Sequence, residues 1–184
     1  MEEETFCKKH VEELLGVAVS IMDSHPRYAL GLYTFAVEEY GKALWLEDIR
    51  ASGSTNGRYT VPTNIRSDHH RKFKYALDAL PHECTEIKVR ASSVALRLGT
   101  NATPISQTCK TVRGMVSIPP YTTDFFFDIV ERVSDANFDA RMSCFYLDWD
   151  QHRRQWRAFF SPDKESLAAA MQKFREYLHG TTRS

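Results

Sequence analysis

The sequence carries no excess of either charge, with 24 Lys and Arg against 24 Asp and Glu and a formal net charge of zero. That balance excludes a protein that captures nucleic acid through its overall field, although it leaves room for a local basic patch. No long apolar run is present, so nothing reads as a membrane span. The acidic opening Met1-Glu2-Glu3-Glu4 lacks the positive charge of an export signal, and the expectation is a cytoplasmic protein without membrane contact. Cysteine is scarce and scattered: Cys7, Cys84, Cys109 and Cys144 form no CxxC. Zinc and dithiol sites usually need two ligands close together on a turn, so these read as reduced structural thiols, with no metal or other cofactor expected. No Walker loop, GxGxxG, HExxH, EF-hand or GxSxG pattern occurs, and no repeat of solenoid length.

What is present suits a single domain. The 184 residues are 42% hydrophobic and 12% aromatic, enough to bury a sizeable core. Cys7, Val11, Leu14, Ala18 and Ile21 recur at helical spacing and predict a first helix over about 4–23. Asp23-Ser24-His25-Pro26 breaks it, and Pro26 opens a second helix running to about Ile49. A third is expected from near Ser67 to Leu80 and a fourth from Glu83 to Leu98, which completes a helical bundle core over 1–98. Residues 99–140 read as an irregular or extended connection to Pro120 followed by a helix over Tyr121–Val133. In 141–184, the aromatic runs Arg141–Asp148 and Gln155–Phe160 predict a β-hairpin. Ser161-Pro162-Asp163 then reads as the start of a closing helix that packs Leu167, Met171, Phe174 and Leu178. The fold class expected is mainly α, with a small carboxyl-terminal β-hairpin and a terminal helix.

The second helix carries the chemistry. At 100° per residue, Tyr28, Leu32, Phe35, Ala36, Glu39, Ala43 and Leu46 fall on one stripe, and Leu30, Tyr33, Val37, Tyr40 and Leu44 form a second apolar face. Glu38 and Lys42 lie away from both, four apart, as a surface ion pair would. Glu39 falls inside an apolar stripe, where a lone carboxylate is costly, and is expected to have a partner. The third helix offers one, because Arg66, His69, Phe73, Leu77 and Leu80 share a side, with Lys72 flanking His69. The expectation is an antiparallel pair of helices with Glu39 in contact with His69, Lys72 or Arg66. Such a contact reads either as a structural polar network or as a proton-transfer group, His69, beside cations that hold a phosphate. His70, Arg71 and Lys74 turn toward solvent. Between Arg58 and Lys74, five basic residues face one acid, Asp68, which makes this the chain's best nucleic-acid backbone contact. A second basic cluster is Arg153, Arg154 and Arg157.

These residues carry a family resemblance. Glu38-Glu39-Tyr40-Gly41-Lys42-Ala43, at the end of an alanine-bearing helix, resembles the signature helix of the AbiV family of bacterial abortive-infection proteins. His69-His70-Arg71-Lys72-Phe73 resembles the His-x-x-Lys-apolar element that follows it, and Arg141–Pro162 is similar to the family's carboxyl end, with Tyr146, Trp156 and Pro162 in order. The resemblance implies a helical fold related to the HEPN (higher eukaryotes and prokaryotes nucleotide-binding) superfamily. It also implies a homodimer and a role in antiphage defence through arrest of translation or gene expression. The implied partners are RNA or the translation machinery, and a phage-encoded protein. Many HEPN proteins are metal-independent ribonucleases with an Arg-x(4–6)-His motif. Here the nearest approaches, Arg66-x2-His69 and Arg66-x3-His70, are shorter. The catalytic set implied is His69, Arg66, Lys72 and Glu39, and the binding set Glu38, Lys42, His70, Arg71 and Lys74. A different class fits the same residues: a non-catalytic helical adaptor whose polar motifs are structural.

Overall fold

The structure is a computed structural model that describes residues 3–53, 63–66, 68–91, 95–97, 110–112, 115–117, 123–127, 144–145, 147–150, 155–158 and 160–181. It is mainly helical, with a small two-stranded antiparallel hairpin late in the chain and a carboxyl-terminal helix. Helix α1 spans Glu3–Ile21, α2 Pro26–Gly53, α3 His69–Ala79 and α4 Lys164–Thr181. Short 3-10 turns at Thr63–Arg66 and His82–Cys84 flank α3.

Helix α2 is the axis of the fold. Buried residues run all the way round it, among them Ala29, Leu30, Tyr33, Ala36, Val37, Tyr40, Ala43, Trp45 and Leu46. A helix that is apolar on every side is packed on every side. Helix α1 meets it through Val11, Leu15 and Ala18, with Glu12 and Glu13 left in solvent. Pro26 opens α2 at a position whose N–H needs no partner inside the helix. Helix α4 packs Leu167, Ala170, Met171, Phe174 and Leu178 into the same core, where Tyr33 and Tyr40 each meet the Phe174 ring edge to face. The Tyr33 hydroxyl, fully buried, donates to the Cys84 carbonyl at 2.6 Å. Burial holds that phenol well above its ordinary pKa.

The expected helix over Glu83–Leu98 is not formed. After the 3-10 turn come strands β1 (Lys88–Ala91) and β2 (Ala95–Arg97). The reason is a period of two: Ile87 and Val89 are buried while Glu86 and Lys88 are exposed, an alternation a strand satisfies and a helix does not. The bundle core expected over 1–98 therefore ends before β1. Within 99–140, β3 (Lys110–Val112) and β4 (Met115–Ser117) fall in the stretch read as irregular or extended. The helix expected over Tyr121–Val133 begins later than that: Thr123–Phe125 forms β5, whose backbone pairs with β1, and Phe126 and Phe127 are helical. Phe126 and Phe127 follow, both buried in the core, and 128–133 lies outside the described residues.

Strands β6 (Leu147–Asp150) and β7 (Gln155–Ala158) form the expected hairpin, with Trp149 opposite Trp156. Its turn lies outside the described residues. Strand β8 (Phe160–Pro162) joins β5 and β1 in one antiparallel sheet ordered β5-β1-β8, and β2-β4-β3 is a second sheet. Ser161 and Pro162 thus belong to β8 rather than to the start of α4. The helix is capped by Asp163, whose carboxylate accepts from the Ser166 backbone N–H at 2.9 Å. No helix among the described residues is long and apolar enough to cross a membrane.

Candidate functional site

The site is assembled where α3 crosses α2. Asp68 caps α3 by accepting from the Arg71 backbone N–H at 3.0 Å, which fixes the first turn, His69-His70-Arg71. Lys72 and Phe73 then point inward, and both are buried.

The carboxylate that enters this crossing is Glu38, not Glu39. Glu38 is 3% exposed, and its Oε1 lies 2.6 Å from the Lys72 Nζ and 2.6 Å from the His69 Nδ1. Lys72 is as deeply buried as Glu38. Glu39 instead accepts from Lys42 at 2.9 Å in a half-buried pair one helical turn long. The expected roles of the two neighbours are exchanged. The reason lies in α2 itself: because it is packed all round, a wheel drawn on apolar spacing cannot tell which polar position faces the next helix.

The antiparallel arrangement expected for α2 and α3 is also overturned. Glu38 meets His69, Gly41 meets Lys72 and Trp45 meets Tyr75, so the contacts advance along both helices in the same direction.

Gly41 permits the crossing. A Cβ built there would overlap the carbonyl oxygen of Lys72 and stand 3.0 Å from the Ala76 nitrogen. Only glycine lets the two backbones approach so closely. Glu38, Gly41 and Trp45, at i, i+3 and i+7, form the face of α2 that receives α3. Glycine at i+3 from a carboxylate, facing a His-x-x-Lys pair at i and i+3, is the sequence signal that singles out Glu38.

His69 is the outward member of the cluster, with 43% of its side chain exposed. Its Nδ1 faces the Glu38 Oε1 at 2.6 Å, the geometry in which an ionised carboxylate accepts from a ring N–H. Imidazoles held this way by a buried carboxylate are oriented for proton transfer, as in hydrolytic triads.

Arg66 ends the 3-10 turn three residues before His69, and its side chain is outside the described set. His70 is exposed, and Lys74 is exposed in a pair with Asp78. Arg71 lies over the Trp45 ring at 4.8 Å from its centroid. Trp45 is buried and stacks on Tyr75, whose hydroxyl donates to Asp48 at 2.7 Å. That hydrogen bond, with partial burial and the Asp48 charge, raises the Tyr75 pKa. For Lys42, burial lowers the pKa, but Glu39, with a smaller share from Cys7, more than offsets this and raises it overall. Arg58, Arg153 and Arg154 lie outside the described residues, as does the side chain of Arg157.

Cys7, Cys84 and Cys144 are buried, and burial pushes the Cys84 thiol up to about 11. Among the described residues no group of three or more His, Cys, Asp or Glu is placed to hold a metal. Comparison with protein-family profiles, with curated proteins and with solved structures finds no match to this chain.

Proposed function

We propose that this protein is an antiphage abortive-infection protein of the AbiV type, a relative of the HEPN proteins, and that it arrests gene expression by metal-independent cleavage of RNA. The observation that carries the reading is the Glu38–His69 contact. It pairs a half-exposed imidazole with a buried carboxylate through Nδ1, which fixes the orientation of the ring. The signature residues add support, because Glu38, Gly41, His69 and Lys72 converge at one helix crossing.

In this mechanism the substrate's own 2′-hydroxyl attacks the adjacent phosphorus. His69 takes the proton from that hydroxyl, and the 5′-oxygen leaves with a proton returned by the same imidazole or by water. Glu38 and Lys72 are positioning residues. The ammonium holds Glu38 in place, and Glu38 orients His69. The products end in a 2′,3′-cyclic phosphate and a 5′-hydroxyl. The expected setting is a cytoplasmic homodimer.

A second reading has its own observation. The Lys72–Glu38 pair is almost wholly buried, as a purely structural tie would be, and this favours a non-catalytic helical adaptor. Induced expression in bacteria, with growth, translation and RNA integrity followed together, separates the two. Arrest with fragmented RNA, lost in His69→Ala, supports cleavage. Arrest with intact RNA, unchanged in His69→Ala, supports the adaptor.

A further inference from the structure

Resting on the RNA reading, we infer that Arg71, laid on the buried indole of Trp45, is a binding site for a backbone phosphate of single-stranded RNA, separate from the His69 centre. Three cationic side chains leave α3 within one turn, and they are treated differently. Lys72 is spent on Glu38 and Lys74 on Asp78. Arg71 has no carboxylate partner among the described residues, and its guanidinium covers an aromatic face instead.

A guanidinium set over an aromatic ring makes no hydrogen bond to the ring, so its N–H donors remain for an anion. The platform is rigid, because Trp45 is 2% exposed and stacked on Tyr75, which Asp48 anchors. Part of the rotamer entropy that an exposed arginine loses on binding is therefore already lost in the free protein. A planar fork held in place is suited to two phosphate oxygens at once.

The placement fits a strand running across the crossing. His69 lies on the side of Glu38, and Arg71 lies on the side of Trp45, seven residues further along α2. An exposed His70 stands between them on the first turn of α3, a turn without an acidic residue. A strand that met both would pass around the first turn of α3, with the imidazole and the guanidinium on different phosphates.

The test is equilibrium binding of a labelled 2′-O-methyl oligoribonucleotide, which cannot undergo attack by its own 2′-hydroxyl, over a range of salt. The proteins are wild type, Arg71→Ala, Arg71→Lys and Lys173→Ala, with His69→Ala assayed beside them for cleavage of ordinary RNA. Removing one phosphate contact on a single strand should lower the slope of log affinity against log salt by about 0.7. Arg71→Ala is expected to show this loss and weaker binding. Arg71→Lys should recover part of the affinity, and Lys173→Ala, at an exposed α4 lysine paired with Glu176, should leave affinity and slope as in wild type. Wild-type affinity and slope in Arg71→Ala would overturn the inference, even if His69→Ala abolishes cleavage and the active-site reading stands. Loss of binding in Arg71→Ala, in a protein that cuts nothing, would uphold the site and remove the cleavage reading. Absence of binding by wild type would overturn the site itself.

Discussion

At position 38 a carboxylate accepts from an ammonium and an imidazole while almost wholly out of water, whereas its neighbour Glu39 is half-buried with Lys42. The two substitutions should therefore differ sharply. Glu38→Ala strands the Lys72 ammonium in the interior and should cost about 3–5 kcal/mol. Glu39→Ala removes a solvent-screened pair and should cost about 1 kcal/mol or less. Urea unfolding of both variants measures the contrast, and equal losses would contradict the assignment. Apolar spacing in the sequence gives the partner on the His69 and Lys72 turn to Glu39 and leaves Glu38 on the surface with Lys42, the reverse of what the structure shows. A single step of 100° decides between them, and α2 has apolar neighbours on every side.

A second prediction at this scale concerns Asp163. Its backbone hydrogen bond from Ser166 lowers the carboxyl pKa, partial burial opposing this and the Ser166 side chain adding to it. A carboxyl depressed on folding contributes stability that is fully present above its unfolded value of about 3.9, and that is lost as pH falls through the folded pKa. Asp163→Ala should thus cost about 1 kcal/mol at neutral pH, the usual worth of a cap. The gap from wild type should close as the pH is lowered below the carboxylate range. A gap independent of pH would show that the charge is not what caps α4.

Glycines show how the helices depend on their neighbours. In an isolated helix Gly→Ala gains about 0.5–1 kcal/mol. Gly16 in α1 has nothing within 4 Å of an added Cβ, and Gly16→Ala should give that gain. Gly41→Ala should instead lose about 1–3 kcal/mol, because the new methyl group forces the backbone of α3 away from α2. Thermal unfolding of the two variants should move the midpoint in opposite directions, and a stabilised Gly41→Ala would mean the crossing is looser than described. The sequence marked α1, α2 and α3 well, since each combines apolar spacing with a break or a cap. It misplaced 83–98, where branched and charged residues suit a helix or a strand and only the partners β5 and β8 decide. The start of α4 was misplaced for a related reason: Pro162 looks like a first-turn residue until its pairing with Val89 is known.

At the scale of the molecule, α2 acts as a frame on which the other elements are hung. Its Gly31 offers a slot, where a Cβ would stand 2.6 Å from the Phe145 ring, and Tyr28 and Phe35 stack on either side of that ring. The carboxyl-terminal part of the chain is thereby seated on the first half of α2. The site stands on the middle of α2, from Glu38 to Trp45, so His69 is backed by the most deeply packed element of the fold. The helical class could be read from the sequence because buried helices repeat their apolar residues at short range. The cluster at the crossing was read only in outline, since it is fixed by a contact across 31 residues of chain.

The central claim is that His69, held by Glu38, moves a proton in the cleavage of RNA. It is tested most directly by incubating purified wild type and His69→Ala with total RNA in the presence of a chelator and identifying the new ends. The account predicts that wild type leaves 2′,3′-cyclic phosphates and that His69→Ala is slower by about 10²–10⁴-fold. RNA left intact by wild type, or cut equally by both, would contradict it.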